Sequence, residues 1–297
     1  MSDVLATLSN ELAAVVENTG RSVVRVEARR RLPASGVVWS NDGLIVTAHH
    51  VVHWDENIRV GVGAETFPAA LVGRDPSTDL AVLRAEGVNL PAAAWETPDD
   101  LQVGHLALAL GRPGRSVQAT FGIVSALGEG WRSPAGGLID RYLQTDVVMY
   151  PGFSGGPLVD ALGVVRGVNS SALMRGVSLA VPTSTVSRVV EALLEHGHIR
   201  RGYLGVGAQP ARLPEAIAEE LGQETGLLLV SVEKGSPAEQ GGLVMGDTIV
   251  GLGGERVRHL DDLMALLGGD AVGQETPVRV LRGGGLAEVA VVIGERE

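Results

Sequence analysis

The segment YPGFSGGPLVD, residues 150 to 160, sets Ser154 among Gly152, Gly155 and Gly156. Glycine reaches backbone angles closed to other residues and lets a second chain come close. The segment therefore reads either as a tight turn between strands or as the loop of a nucleophilic serine. The second reading makes demands that the first does not. A serine hydroxyl attacks a carbonyl only where a base takes its proton and donors face the developing oxyanion.

Three of the seven histidines, His49, His50 and His53, fall together in LIVTAHHVVH, at the end of an apolar strand. Two chemistries are open there. With Asp55 and Glu56 the cluster has the donor types of a metal site; with a carboxylate on its far nitrogen, one imidazole becomes a general base. GRDPSTDLAVLR offers that carboxylate in Asp79, directly before an apolar strand, whereas Asp75 precedes a proline in what reads as an open turn. The order His, Asp, Ser along the chain is that of the chymotrypsin arrangement and not that of subtilisins or α/β-hydrolases.

The rest of the chain bounds these readings. It has 297 residues, 45% hydrophobic and 20% charged, enough for two or three domains with substantial cores. A formal net charge of −11, with no basic run longer than Arg29-Arg30-Arg31, argues against a nucleic-acid partner. The absence of cysteine removes disulfides, zinc thiolates and cysteine catalysis. No organic cofactor or metal is implied by any other motif.

Elements that position the candidate residues follow from periodicity. Leu5, Leu8, Leu12 and Val15 recur at helical spacing over residues 1–20, with Ser2 as N-cap and Gly20 as stop. Asp3, Glu11 and Glu17 interrupt that segment, which has no basic start, so it does not read as a signal peptide. No stretch is long and apolar enough for a membrane span. Short strands then follow in SVVRVEA, GVVWS, LIVTA, IRVGV, LAVLR, LALAL, GIVSAL and GVVRGV, split by turn residues and suggesting a sandwich or barrel. PTSTVSRVVEALLEHG reads as a helix capped by Thr183 or Ser184, with Val186, Val189, Val190, Leu193 and Leu194 apolar, stopped at Gly197. It closes the all-β region. A basic linker at 198–201 leads to a mixed domain, 202–297, with five strands and helices near 211–221, 236–241 and 260–268.

TAHHVV, GRDPSTDLAVL and PGFSGGPLVD, with GYLGV and GSPAEQGGLVMGDTIVGLGGERV beyond them, together resemble the HtrA/Deg family of trypsin-like serine endopeptidases. The resemblance implies a mostly β chain: a chymotrypsin-like double β-barrel protease domain over 21–197, then a smaller α+β PDZ domain. It also separates the adjacent histidines, since the family's catalytic histidine directly precedes two small apolar residues, as His50 precedes Val51 and Val52. Carried over residue by residue, Ser154 is the nucleophile, His50 the base and Asp79 its orienting carboxylate. The oxyanion hole falls to Gly152, Phe153 and Ser154, through the amides of Gly152 and Ser154. The sequence departs from the family at Phe153 and Tyr150, where asparagine is usual. Phe153 cannot accept the salt bridge that shapes the hole in activated digestive relatives, so no zymogen cleavage is expected and packing or allosteric contacts must hold the loop.

The same resemblance puts Val148 and Met149 at the base of the substrate pocket with Leu179 as a wall. No acid stands there, so small or medium aliphatic side chains are the expected substrates. Residues 178–181 are expected to pair with the substrate as an added strand. In the second domain the amides of Leu204, Gly205 and Val206 would bind a peptide C-terminal carboxylate, and Leu263 or Leu267 would either line its pocket or form the buried face of a helix. The function implied is degradation of unfolded or misfolded proteins, by a homotrimer assembled through its N-terminal segment. The alternative is a catalytically silent chaperone or adaptor. Without a signal peptide the expected place is the cytoplasm, or the cell envelope or periplasm if a leader preceded this sequence.

Overall fold

The computed structural model describes residues 2–30, 32–86, 90–95 and 100–295, which divide into two compact units, Met1–Ile199 and Arg200–Glu297. The first unit opens with helix α1, Ser2–Gly20. Only its second half packs, through Leu12, Val15 and Val16. Val4, Leu5 and Leu8 are 71%, 68% and 42% exposed, so the expected apolar stripe runs on past the surface that it covers.

Six strands follow: β1 Val23–Glu27, β2 Ala34–Ser40, β3 Leu44–Ala48, β4 Ile58–Val62, β5 Glu65–Asp75 and β6 Leu80–Ala85. They close into an antiparallel barrel in the order β1-β2-β3-β6-β5-β4. A second barrel has β7 Leu106–Gly111, β8 Gln118–Gly128, β9 Tyr142–Thr145, β10 Pro157–Asp160, β11 Val165–Ser170 and β12 Ser178–Pro182, in the order β9-β12-β11-β10-β7-β8. Closure leaves neither sheet with an unpaired edge. Side chains alternate across each strand. Val24, Val26, Ile45, Val60 and Leu83 cluster within the first barrel, and Ala109, Val124, Leu143 and Leu158 within the second. The opposite faces meet in a shared layer of Val23, Val37, Val46, Leu80, Leu108, Val168 and Val181, sealed by Val186, Val189 and Leu193. Those last residues lie on helix α2, Thr183–His196. Its N-cap is Pro182, not Thr183 or Ser184: Thr183 Oγ1 is drawn to Val165 O at 2.9 Å, and Gly197, at φ 75°, ends the helix.

The second unit is a sheet of β13 Val206–Arg212, β14 Thr225–Val232, β15 Thr248–Leu252, β16 Glu275–Arg282 and β17 Gly285–Val292, in that order, with Glu255–Arg256 paired to β15. Helices α3 Glu215–Leu221, α4 Pro237–Gln240 and α5 Leu260–Leu266 accompany it. Its core gathers Leu204, Leu227, Ile249, Val278, Val291 and Leu263.

Candidate active site

Strand register brings His50 and Asp79 together. Ala48 pairs with Leu80 at the ends of β3 and β6, so the residues just beyond them meet at one end of the first barrel. His50 sits in a single 3-10 turn, His49–Val51. Asp79 has φ 60°, a left-handed angle that aspartate tolerates better than most side chains. That angle allows Asp79 to take three bonds from the histidine pair. His49 N–H donates to its carbonyl at 3.0 Å, His50 N–H to Oδ1 at 2.8 Å, and His50 Nδ1 to Oδ2 at 2.8 Å. Ser170 Oγ also donates to Oδ2. With Nδ1 committed to the carboxylate, Nε2 carries the lone pair and can accept a proton.

Ser154 comes from the second barrel, and its hydroxyl lies 3.0 Å from that of Ser171. Ser171 Oγ is in turn 3.5 Å from His50 Nε2. Among the described residues, nucleophile and base are thus linked through Ser171 and not directly. Catalytic hydrogen bonds are commonly long before substrate tightens them. Asp75 is not in an open turn. It is buried and closes the loop before Asp79, accepting from Ser77 N at 3.0 Å and Thr78 Oγ1 at 2.7 Å. The neighbouring His49 plays a different part from His50. Its Nδ1 is buried and finds no partner among the described residues, and burial, with Arg74 adding to it, holds its pKa below the usual imidazole range.

The loop around the nucleophile is a hydrogen-bonded turn, Phe153 N to Tyr150 O at 3.0 Å, with Pro151 and Gly152 at its centre. Gly152 has φ 93°, the angle a type II turn requires after proline. A Cβ there would lie 2.6 Å from Pro113 Cβ and 2.9 Å from Pro33 O, so the position excludes any other residue on two counts. Phe153 is fully buried in the second barrel, with Tyr150 edge-on to its ring at 5.9 Å. Its ring anchors the loop by packing. The amides of Gly152 and Ser154 donate to no group among the described residues, whereas Gly155 N is bonded to Asn169 O at 2.9 Å. Two free N–H groups beside a serine hydroxyl can stabilise an oxyanion.

The expected pocket is placed in part. Val148 is 54% exposed and Met149 is half-buried against the second-barrel cluster. Leu179 is 1% exposed and points into the layer between the barrels, so it walls no pocket; the alternation of β12 turns Ala180 instead toward the cluster that holds Met149. Nor do residues 178–181 offer an added strand an edge free along their length, because β12 pairs with β9 at Ser178 and Leu179 and with β11 from Leu179 to Pro182. Sequence reasoning overlooked Ser35, Ser170 and Ser171. The last two stand in the run NSS at the end of β11, a signal that was legible there.

In the second unit Leu204 is buried in the core, Gly205 has φ 77°, and Val206 begins the edge strand β13. Leu263 and Leu267 are both buried in the core and line a groove with Tyr203, Val206, Ala208 and Met264. Leu263, on α5, and Leu267, which caps it, thus belong to the core and also face the groove. The amides of Leu204 and Gly205 donate to nothing among the described residues, while their carbonyls are bonded inward to Ala238 N at 2.9 Å and Glu233 N at 2.8 Å.

Two closed six-stranded barrels, with His50 and Asp79 on one and Ser154 on the other, define a trypsin-like peptidase fold followed by a PDZ domain. Family models agree: a trypsin-like peptidase domain matches residues 34–168 and a PDZ domain residues 202–293. The chain is 34% identical over 280 residues to the probable periplasmic serine endoprotease DegP-like of Chlamydia muridarum, covering 92% of this chain and 56% of that protein. It is 38% identical over 280 residues to the protein of the same name from Hahella chejuensis, covering 90% and 59%. It thus spans a little over half the length of these curated relatives. Among solved structures, the serine endoprotease from Yersinia pestis superposes with a TM-score of 0.78 at 30% identity, covering 97% of this chain and 98% of that one. The HtrA-type protease AlgW with a decapeptide gives 0.78 at 29%, covering 96% and 98%. The chain belongs to the HtrA/Deg family of trypsin-like serine endoproteases carrying a PDZ domain. The two curated relatives are named periplasmic and lend no support to a cytoplasmic place. No helix among the described residues is long and apolar enough to cross a membrane.

Proposed function

We propose that this chain is a serine endopeptidase that degrades unfolded or misfolded protein. The observation that carries this reading is the His50–Asp79 pair reaching Ser154 through Ser171 across the barrels, with two amides beside the serine free to donate to an oxyanion. Ser154 Oγ attacks the scissile carbonyl as its proton passes to His50 Nε2. The imidazolium is held by Asp79, and the carbonyl oxygen gains its charge against Gly152 and Ser154 N–H. The tetrahedral adduct collapses as His50 returns the proton to the leaving amine, and water then repeats the sequence on the acyl-enzyme. One oxyanion donor is worth about 3 kcal/mol of barrier, so the loop matters nearly as much as its serine. Val148 and Met149, with no acid among them, favour small or medium aliphatic side chains before the cleaved bond.

The groove beside β13 would take a peptide C-terminus, its carboxylate on the Leu204, Gly205 and Val206 amides and its backbone added to the free edge of the sheet. The periplasmic names of the relatives support a place in the cell envelope. The exposed Val4, Leu5 and Leu8 support assembly through α1, as a homotrimer in keeping with the family.

Digestion of casein by the wild-type chain and by Ser154→Ala, with cleavage sites read by mass spectrometry, tests this reading. Cuts after aliphatic residues that vanish in the variant are expected. A second reading, a silent peptide-binding adaptor, is favoured by one observation, the bonding of Ser154 to Ser171 in place of His50. Intact casein with both proteins, even after addition of hydrophobic C-terminal peptides, would establish that reading instead.

A further inference from the structure

Ser35 in β2 holds the oxyanion loop from below. It is fully buried, and its N–H donates to Ser154 O at 3.2 Å while its hydroxyl donates to Gly152 O at 2.6 Å. One residue thus grips the carbonyls of both residues that contribute oxyanion amides. The Ser35 hydroxyl is itself held, accepting from Arg112 N–H at 2.7 Å. Its single proton and the lone pair facing Arg112 are both used, which leaves the hydroxyl no freedom to turn. Arg112 follows Gly111, where a Cβ would come within 2.8 Å of the Phe153 ring, so the same short segment touches the loop on two sides.

The Arg112 side chain leads away from the loop to the N-terminal helix. Its guanidinium donates to Val23 O at 2.6 Å, to Gly20 O at 2.8 Å and to Arg115 O at 2.9 Å. Gly20 is the last residue of α1, whose final turn has no basic residue of its own. Carbonyls at a helix C-terminus lack internal partners and carry the negative end of the helix dipole, so a cation from elsewhere in the chain satisfies them doubly. This cation is supplied from a residue far along the sequence. Burial, with Arg25 nearby adding to it, pushes the Arg112 pKa below its ordinary value, consistent with a guanidinium placed for its geometry.

We infer that Ser35 is a positioning residue for the oxyanion amides and that Arg112 ties it to the end of α1, so that the N-terminal helix sets the shape of the catalytic loop. The buried Phe153 leaves no carboxylate for a charged N-terminus to anchor. A neutral chain of hydrogen bonds, Gly152 to Ser35 to Arg112, with the Arg112 fork on Gly20, takes that place. The inference rests on the endopeptidase reading.

Ser35→Ala removes the hydroxyl from this chain and leaves Ser154, His50 and Asp79 in place. Its kcat on a peptide substrate should fall about tenfold or more with KM unchanged, because small displacements of a catalytic group are felt in the chemical step. Labelling of Ser154 by a fluorophosphonate probe should slow in parallel, while peptide binding to the PDZ groove stays put and the variant, though less stable for its lost buried bonds, unfolds cooperatively. Arg112→Gln, which keeps the backbone bond to Ser35 and loses the reach to Gly20, should show the same split in smaller measure, and carries the test if Ser35→Ala folds poorly. Wild-type kcat in both variants overturns the inference. So does a loss that matches only a reduced count of titratable active sites. Wild-type protein that neither cleaves nor labels sinks the endopeptidase reading and this one together, whereas an active wild type with equally active variants sinks this one alone.

Discussion

Two loops in this chain do the same thing by different means. Around Gly152 and around Gly205 the backbone turns at a positive φ, 93° and 77°, carbonyls are bonded inward, and N–H groups are left free. Each is a cradle for an oxygen anion. In the PDZ loop the inward bonds come from two backbone amides, Glu233 and Ala238, about thirty residues along the chain and held by the sheet and α4. In the catalytic loop both come from Ser35, one from its backbone N–H and one from its hydroxyl, which is fixed in turn by Arg112. The first cradle is written wholly into backbone topology; the second depends in part on which side chain stands at a distant position. The contrast fits their tasks. A carboxylate arrives with its full charge and the site need only recognise it, whereas an oxyanion exists only near the transition state and rewards donors already aimed at it. A site built on side chains is also one that single substitutions can tune.

Replacing each central glycine by alanine strikes at this contrast most strongly. Gly152→Ala forces a side chain into Pro113 and Pro33 at a strained φ, and should lower kcat by about a hundredfold or more, the cost of misplacing an oxyanion donor. Gly205→Ala drives a Cβ into the side chain of Ser236 and should abolish capture of C-terminal peptides at the PDZ groove. Each lesion should stay in its own domain: hydrolysis of a small ester separates them, slow in the first variant and normal in the second. Ester hydrolysis lost in Gly205→Ala would mean that the cradles are coupled and the contrast is misdrawn.

The barrels were readable because many of their strands are short, almost wholly buried apolar runs punctuated by glycine, proline and asparagine. Strand β5 was missed since Pro68, Glu65 and Thr66 dilute its pattern over eleven residues, most of them half-exposed. The family motifs led to His50, Asp79 and Ser154, and the structure brings them together. What the sequence hid is what depends on pairing between distant strands. The burial of Leu179 follows from the register of β12 with its two neighbours, and the same pairing occupies part of each edge of the segment on which a substrate strand was expected. Ser35 and Arg112 are invisible for the same reason: neither has a motif, and each matters only for what a fold of over a hundred residues sets beside it. Asp75 looked open because it precedes proline, yet three local hydroxyl and amide bonds bury it.

Leu263 offers a middle-sized test. It belongs to the core and also lines the peptide groove. If the PDZ cradle is held by backbone alone, Leu263→Ala should remove about 2 to 3 kcal/mol of stability from this unit, as a large-to-small core change does, measured by urea unfolding. Peptides with a bulky C-terminal side chain should bind more weakly, because the shortened side chain covers less of their apolar surface. The carboxylate requirement, read by comparing free-acid and amidated peptides, should persist. Loss of discrimination between acid and amide would show that packing under α5 shapes the cradle after all.

The smallest expected effect concerns acid. A protease unit whose cradle leans on a side chain, with a half-buried histidine beside its catalytic base, should feel pH where the PDZ unit does not. His49 adjoins His50, its Nδ1 is buried without a partner among the described residues, and burial followed by Arg74 lowers its pKa, against weaker opposing pulls from Asp79 and Asp75. In the unfolded chain the same imidazole titrates near its ordinary value, about 6.5. Between the lowered folded value and about 6.5 the unfolded state holds more protons, so stability rises with pH across that window and is lost as pH falls through it. Urea unfolding of the protease unit from pH 7.5 down to 5.5 should therefore show a decline that His49→Gln lessens, while the PDZ unit's transition stays nearly level over the same range. An identical decline in wild type and variant would assign the acid sensitivity to other groups and remove His49 from the account; equal declines in both units would erase the difference between the two cradles that the substitution was chosen to expose.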